Sequence, residues 1–371
     1  MTALLRVVLD QVVAPIDPDL SAASRELARA LVATAPAGCA VEAIVPAAPD
    51  VSAALEGAVP GLADLNRSPL ARRELAAAWQ LGVAPGVGGG MIHSPTLMAP
   101  LVRHDRVNEN DQTVVTLWDH DVWERPVELS RGAVTWGRSM FKRAVKHADA
   151  VVVPTHAAAE SLAEHAELGE RLRVIAGAAP AGFAVPVDEI GRRRALGLPE
   201  GFVLVAGSSA PSAALADAFR AVVASGADAP VVVIDAPEGD EPAVLDLAAA
   251  AGVPEDRVQV RGRLDHADRA AVLGGAVAFV APSRLTAFPW RVVEALAVGV
   301  PVVAADAPVH REVVLDGGLF GSDAEGLGDA LAQVLGSTAA VERFGVLASD
   351  RGRAFSWQGA AERVWSLHAD L

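Results

Sequence analysis

The chain has 371 residues, a length at which two domains of ordinary size are expected. Of these residues 52% are hydrophobic, enough for two large cores, and the net charge of −15 argues against nucleic-acid binding through a basic surface. The single cysteine excludes an intramolecular disulfide, and neither a secretory leader nor an apolar run of about 18 residues is found. A cytoplasmic protein without a transmembrane helix is therefore expected.

The first half of the chain alternates between apolar runs and helix-like segments. Residues 46–70 are rich in Pro, Ala and Gly and are predicted to be a connecting segment with little regular structure. Residues 86–90 are glycine-rich but lack the Gly-Lys-Ser/Thr ending of a phosphate loop, so we interpret them as a turn. The predicted strands are 3–9, 41–45, 91–95, 113–117, 148–155 and 173–175, and the predicted helices are 19–33, 72–81, 130–147 and 156–165.

The second half repeats this alternation, which is typical of a parallel sheet covered by helices. Residues 176–185 are predicted to link the two halves. The predicted strands are 201–206, 231–234, 258–261, 277–280 and 301–304, and the predicted helices are 265–273, 289–298, 325–335 and 356–368.

Residues 277–314 form the most informative stretch, because a strand, a loop, a helix and a second strand follow one another without interruption. In parallel sheets, ligands bind beyond the carboxyl ends of the strands, at such loops and helix N-termini. Glu294 is a lone carboxylate on a predicted helix built mostly of Val, Ala and Leu. A buried acid needs a hydrogen-bond partner, and a ligand hydroxyl would serve.

This stretch resembles the donor-binding motif of the family 4 (group 1) glycosyltransferases, roughly S-x-x-E-G-F-G-x-x-x-x-E-A-x-A-x-G-x-P-V-V. The first Glu of the family motif falls on Thr286, and the glycines around Phe288 are Ala287 and Pro289, so the motif is degenerate. Residues 148–155, 257–264 and 355–357 resemble further family motifs in the same order. The matching positions of the donor motif are Ser283, Phe288, Glu294, Ala295, Ala297, Gly299, Pro301, Val302 and Val303.

The resemblance implies an α/β protein with the GT-B fold, in which two Rossmann-like, doubly wound parallel-sheet domains face each other across a cleft. Residues 1–182 would form the acceptor-side domain, and residues 183–354 would bind the nucleotide-sugar. The C-terminal helix, residues 356–371, would pack back on the first domain.

The resemblance also assigns roles in the second domain. Glu294 would bind the ribose hydroxyls of the donor, Phe288 and Trp290 would line its site, and Thr286 stands at a catalytic position. The family's phosphate-binding Arg and Lys are absent from the loop after residues 201–206. The groups that would replace them are Ser208, Ser209, Arg263 and Arg284. No metal and no cofactor are expected, since the nucleotide-sugar is itself a substrate.

In the first domain, four residues at predicted strand ends are candidates. His93 is either an acceptor-side, catalytic group or a structural histidine. Trp118 replaces a family histidine that lies near the transferred sugar, and a tryptophan can stack on a sugar face. Asp119 is either a catalytic residue that contacts substrate or holds its loop through backbone hydrogen bonds. His120 follows as an acceptor-side candidate.

Two functional hypotheses follow. The first is a retaining hexosyltransferase that moves sugar from a nucleotide-sugar donor to a glycan or lipid-linked hydroxyl acceptor. The second is a catalytically degenerate GT-B protein that binds a sugar, a nucleotide or a partner enzyme. The basic, aromatic helix 130–147 is either a solvated face or a peripheral contact with anionic lipid at the inner membrane face.

Overall fold

The computed structural model describes residues 3–84 and 86–371. The chain divides into two compact units, the first formed by Met1–Pro180 and Ser356–Leu371, the second by Ala181–Phe355. Each unit has its own parallel sheet.

The first unit contains a parallel sheet with the strand order β3-β2-β1-β4-β5-β6-β7. The order reverses between β1 and β4, which makes the carboxyl ends of these two strands the switch point of a doubly wound fold. The strands are β1 (Ala3–Val8), β2 (Cys39–Ala47), β3 (Asp64–Ala71), β4 (Met91–Ser94), β5 (Gln112–Thr116), β6 (Ala150–Val153) and β7 (Leu172–Val174).

Helices cover the faces of this sheet. The helix that follows the second unit in the chain packs on α2 and donates from the Trp365 indole to the Leu31 carbonyl at 3.2 Å. The helices are α1 (Asp10–Val13), α2 (Pro18–Ala33), α3 (Val51–Ala58), α4 (Arg72–Gln80), α5 (Arg106–Glu109), α6 (Asp121–Glu124), α7 (Arg131–His147), α8 (His156–Ala163) and α17 (Trp357–Asp370).

The second unit repeats the same topology, with the strand order β10-β9-β8-β11-β12-β13 and a switch point between β8 and β11. Its central strands are continuous runs of buried apolar residues, as a sheet covered on both faces requires. The strands are β8 (Phe202–Ala206), β9 (Val231–Ile234), β10 (Val258–Val260), β11 (Ala276–Ala281), β12 (Val302–Ala305) and β13 (Gly318–Gly321).

The helices of the second unit alternate with its strands along the chain and bury apolar faces. Their bounds are α9 (Glu189–Ala195), α10 (Leu215–Ala224), α11 (Glu241–Ala251), α12 (His266–Gly275), α13 (Trp290–Ala297), α14 (Pro308–Val314), α15 (Ala324–Leu335) and α16 (Thr338–Gly352).

The doubly wound parallel fold predicted from the sequence is confirmed, with one local correction. Residues 46–70, predicted to have little regular structure, contain the end of β2, the whole of α3 and most of β3. The strand β3 lies at the sheet edge, where a charged and partly exposed sequence is normal and Pro69 is tolerated. It therefore lacks the apolar run that reveals a buried strand.

Candidate functional site

At the switch point of the second unit, the loops after β8 and β11 touch each other. The Ser283 hydroxyl donates to the Ser212 carbonyl at 2.7 Å. Gly207 turns the chain directly after β8 with a φ of 143°, a conformation that residues with a side chain rarely adopt. This brings the predicted phosphate loop against the loop that carries Thr286 and Phe288.

The predicted phosphate loop is already bound to an anionic group of the protein itself. The backbone N–H of Ser209 donates to one Asp240 carboxylate oxygen at 2.7 Å, and the Ser209 hydroxyl donates to the other. The Ser208 hydroxyl oxygen accepts the N–H of Ala210 at 3.3 Å. The geometry of Ser209 thus suits an anion, and an internal carboxylate holds that position in this structure.

Glu294 lies on α13, only 3% exposed, and two arginines surround its carboxylate. Arg269 binds both oxygens in a fork, with both N–O distances at 2.8 Å. Arg291 adds a third hydrogen bond at 3.0 Å and also donates to Asp235 at 2.6 Å. The expectation that a ligand hydroxyl partners this acid is therefore corrected, because arginines from α12 and α13 do so.

Glu294 nevertheless keeps one hydrogen-bond acceptor position that the two arginines do not use. An ionised carboxylate has about four acceptor positions, and the two arginines occupy three of them. The ion pairs also fix the carboxylate rigidly. The assignment of Glu294 to the donor ribose stays a prediction.

Phe288 and Trp290 contact each other edge to face, with ring centroids 4.6 Å apart. Phe288 is buried and also faces Phe355, whereas Trp290 and Thr286 are partly exposed. The structure thus brings these three predicted donor residues together at one loop and the first turn of α13.

The two arginines proposed to replace the family's phosphate-binding charges lie in different surroundings. Arg284 donates to the carbonyls of Asp306, at 2.7 Å, and Ser322, and so ties together the loops after β12 and β13. Arg263 is exposed, shortly after β10. Their phosphate roles stay predictions.

At the carboxyl edge of the first unit lies a cavity of about 590 Å³. Residues of α4 and α7 line it together with the loops that follow β1, β4 and β5. The lining is predominantly apolar and includes Leu97, Met98 and Trp136. Its volume lies within the usual range of small-molecule sites, roughly 300–1,000 Å³.

Trp118 and Asp119 both line this cavity, and the acceptor-side role of Trp118 and the catalytic role of Asp119 stay predictions. Trp118 is buried and donates its indole N–H to the Pro95 carbonyl at 2.9 Å. Asp119 accepts the N–H of Asp121 at 3.2 Å, which is the loop-holding role considered from the sequence. Burial, reinforced by the neighbouring Asp121 carboxylate, raises the pKa of Asp119 to about 6.

The two candidate histidines are core residues in this structure. His93 is fully buried, lies 3.4 Å from the Thr116 hydroxyl and meets the His368 ring edge to face. Burial holds the pKa of His93 well below its usual range and lowers the pKa of His120 to about 4. Their catalytic or acceptor-side roles stay predictions, and at neutral pH both rings are uncharged.

Helix α7 buries part of its apolar face, and two of its arginines donate hydrogen bonds to backbone carbonyls of the same unit. Met140 and Phe141 are buried, Arg138 donates to the Val122 carbonyl, and Arg143 donates to the Leu101 carbonyl. These contacts match the interpretation of a solvated helix with its aromatics packed inward. Peripheral membrane contact stays a prediction.

Sequence reasoning missed Arg269, Arg291, Asp235 and Asp240. The available signal was a charged residue next to apolar ones, as at Arg269 in the segment RAAVL and Arg291 in the segment WRVV, whereas Asp235 and Asp240 lie in the loop after β9 and gave no such signal. A charge in such a place requires an opposite charge nearby, although the pattern does not identify the partner.

Two kinds of feature are absent from the described residues, 3–84 and 86–371. These residues contain no group of three or more His, Cys, Asp or Glu side chains that could hold a metal ion. They also contain no helix with the length and apolar character needed to cross a membrane.

Comparison with solved structures defines the fold. Sucrose-phosphate synthase from Thermosynechococcus elongatus superposes with a TM-score of 0.73 at 19% identity, covering 99% of this chain and 98% of that one. Anabaena Alr3699/HepE, solved in complex with UDP and glucose, has a TM-score of 0.72 at 17% identity, with all of both chains covered. The chain has the GT-B fold of glycosyltransferases, as the resemblance implied.

Sequence comparison gives the family. Residues 199–348 match the family model "Glycosyl transferases group 1". A phosphatidyl-myo-inositol mannosyltransferase from Mycobacterium leprae (strain TN) is 28% identical over 159 residues, which are 42% of this chain and 41% of that relative. The chain spans about two fifths of the length of this curated relative. Residues 199–348 of the second unit thus form a group 1 glycosyltransferase domain, which confirms the group 1 resemblance stated from the sequence, whereas membership of family 4 stays a prediction.

Proposed function

We propose that this protein is a retaining glycosyltransferase. It transfers a sugar from a nucleotide-sugar donor, bound by the second unit, to a hydroxyl acceptor bound by the first. The observation that carries the proposal is the group 1 match over residues 199–348, which contains both switch-point loops and Glu294. The structural neighbour in complex with UDP and glucose supports a nucleotide-sugar donor.

The chemistry needs charge stabilisation more than a protein nucleophile. The departing diphosphate is stabilised by N–H groups of the loop after β8 and by Arg263 or Arg284, and it assists the incoming hydroxyl by accepting its proton. The carboxylate of Glu294, held in place by Arg269 and Arg291, accepts a ribose hydroxyl at its remaining position. This mechanism requires no bound metal.

Nucleotide binding is the first test. We expect one of UDP, GDP, TDP or ADP to raise the melting temperature of the protein, since a ligand that prefers the native state stabilises it. Arg263→Ala is expected to raise the dissociation constant of that nucleotide at least tenfold, or about 1.4 kcal/mol. Arg284→Ala tests the other candidate, and Arg220→Ala, at an exposed site on α10, is the matched control.

Nucleotide binding and sugar transfer together distinguish the enzyme from the non-catalytic protein and test the phosphate site. If no nucleotide binds at millimolar concentration, the enzyme proposal is wrong. Micromolar binding that neither Arg263→Ala nor Arg284→Ala weakens contradicts the phosphate site described above. Nucleotide binding without sugar transfer to any acceptor would instead support the degenerate, non-catalytic protein, which the family match and the relatives do not favour. Retention is checked by NMR of the product's anomeric proton.

A further inference from the structure

The cavity of the first unit has a chemical character that narrows the choice of acceptor. Its side walls are the helices α4 and α7, and apolar groups such as Ala77, Ala133 and Leu129 face it along with Leu97 and Trp136. Burial of apolar ligand surface against such a lining contributes about 25 cal/mol for each Å² removed from water. The cavity therefore favours a hydrophobic ligand body.

Most polar groups at its wall already have partners within the protein. Gln11 donates to the Asp10 carboxylate at 3.1 Å and accepts the N–H of Ile16 at 3.1 Å. Arg72 donates to the same Asp10 carboxylate at 2.8 Å, and the Thr96 hydroxyl oxygen accepts the N–H of Met98 at 3.1 Å. A sugar ring buried here would lose water from several hydroxyls without gaining partners for them, which is costly.

Two groups of the wall differ, Asp119 and the Trp136 indole, whose buried N–H has no hydrogen-bond partner among the described residues. Asp119 stands just after β5 on the cavity wall, partly exposed, and the N–H of Asp121 is the hydrogen-bond donor that it meets among the described residues. Since a carboxylate has about four acceptor positions, Asp119 can accept a hydrogen bond from a ligand hydroxyl. One carboxylate acceptor and one indole donor thus face a space whose lining is predominantly apolar.

We infer that this cavity binds the acceptor and that the acceptor is a hydrophobic alcohol or phenol whose hydroxyl donates a hydrogen bond to Asp119. The inference rests on the proposed function, because it names the acceptor class of that reaction. In the transfer step, the acceptor oxygen bonds to the anomeric carbon of the nucleotide-sugar. The bond from that carbon to the diphosphate oxygen breaks, the hydrogen bond of the hydroxyl to Asp119 is released, and the hydroxyl proton passes to the departing diphosphate.

The test measures direct binding of three probes to the full chain by titration calorimetry. 2-Naphthol carries an aromatic body and a hydroxyl, 2-methoxynaphthalene lacks the hydroxyl proton, and methyl glucoside is a sugar of similar size. We expect 2-naphthol to bind about tenfold more tightly than 2-methoxynaphthalene, and methyl glucoside not to bind at the same concentrations. Asp119→Asn is expected to remove most of the preference for 2-naphthol, because the charged acceptor is lost.

Filling the cavity locates the binding. Ala77→Trp and Ala133→Trp place a large side chain at exposed positions on the two helical walls, so the core is left intact. Each is expected to weaken 2-naphthol binding at least tenfold. Ala163→Trp, at an exposed site of α8 outside the cavity, is the matched control and should leave binding unchanged.

Two results with the cavity-filling variants would overturn the inference. One is 2-naphthol binding that neither Ala77→Trp nor Ala133→Trp weakens, which would place the ligand elsewhere. The other is methyl glucoside binding that both substitutions abolish, which would make the acceptor a sugar. Nucleotide binding, measured in parallel, keeps the two claims apart. Nucleotide binding without 2-naphthol binding contradicts the acceptor class alone, whereas cavity-dependent 2-naphthol binding without nucleotide binding contradicts the proposed function.

Discussion

The carboxyl edges of the two sheets differ sharply although the two units share one topology. In the second unit, the edge is filled by paired charges, including Arg269 with Glu294, Arg291 with Asp235, and Asp240 with the loop after β8. In the first unit, the corresponding edge opens into an apolar cavity beside Asp119. The histidines near it are buried and uncharged.

This difference shows that a doubly wound fold fixes where a site lies but not what the site binds. Paired, forked charges hold side chains rigidly and suit a polar ligand with several hydrogen-bonding groups. A mostly apolar cavity with an acceptor group at its wall suits a hydrophobic ligand with a hydroxyl. The two edges are thus chemically complementary to the two halves of the proposed reaction.

The largest effect is expected from breaking the charge network of the second unit. Glu294→Ala leaves Arg269 and Arg291 buried next to each other without their shared carboxylate. We expect the free energy of unfolding to fall by about 3–5 kcal/mol, measured by urea titration at pH 7.5. Glu238→Ala, at an exposed site of the same unit, should change it by less than about 0.5 kcal/mol. A loss below about 1 kcal/mol for Glu294→Ala would show that the network is not tightly coupled.

The buried histidines of the first unit should make it sensitive to acid. Burial lowers the pKa of His368 to about 4, an effect that the Asp149 carboxylate partly offsets, and the ring packs against His93 and Gln112. The folded state therefore binds fewer protons than the unfolded chain, and stability is lost as the pH falls below about 6.5.

The comparison of wild type with His368→Gln isolates this effect. Between pH 7.5 and pH 5, the wild type should lose about 2 kcal/mol more stability than the variant. Urea titrations at the two pH values measure the difference. Equal losses in the two proteins would contradict a neutral buried imidazole at position 368.

Asp119 should change the pH dependence of the free energy of unfolding less than His368 does, and with the opposite sign. Its folded-state pKa of about 6 lies above the unfolded value, so the stability that its protonation supplies is lost as the pH rises through 6. The groups acting on it are Asp121, Arg125 and Asp17. As the pH rises from 5 to 7.5, the free energy of unfolding of the wild type should fall by about 1 kcal/mol more than that of Asp119→Asn, measured by urea titration. A smaller loss in the wild type than in the variant would mean that the folded protein favours the ionised form of Asp119.

The smallest expected effect concerns the anion held by Ser209. The Asp240 carboxylate competes there with the donor diphosphate, so Asp240→Asn should tighten nucleoside diphosphate binding about two- to fivefold, or about 0.4–1 kcal/mol. Titration calorimetry measures the dissociation constant. Asp246→Asn, at an exposed site of α11, is the control. Unchanged or weaker binding would place the phosphate away from Ser209.

Much of the fold could be predicted because its signals are local. The runs of buried apolar residues in β6, β8 and β9 were recognised directly. Ser and Thr are typical first caps of helices, and the hydroxyls of Ser130 and Thr155 accept the N–H groups of Ala133 and Ala158 at 3.1 and 3.0 Å. The edge strand β3 was missed, because an exposed strand has no continuous apolar run.

The site chemistry was less predictable because it depends on contacts between distant parts of the chain. Glu294 was recognised as a buried acid, but its partner Arg269 lies 25 residues away and on another helix. The Asp235 partner of Arg291 lies 56 residues away. Periodicity and composition indicate that such charges need partners, whereas only the folded chain shows which residues provide them.

The position of α17 has a consequence for biosynthesis. The ribosome completes the whole second unit before it makes Trp357–Asp370, the helix that covers α2 in the first unit. Residues 181–355 are contiguous and can fold as they emerge, while the earlier strands wait with an apolar face uncovered. We therefore expect nascent chains stalled before residue 357 to contain a native second unit and a first unit that still binds chaperones.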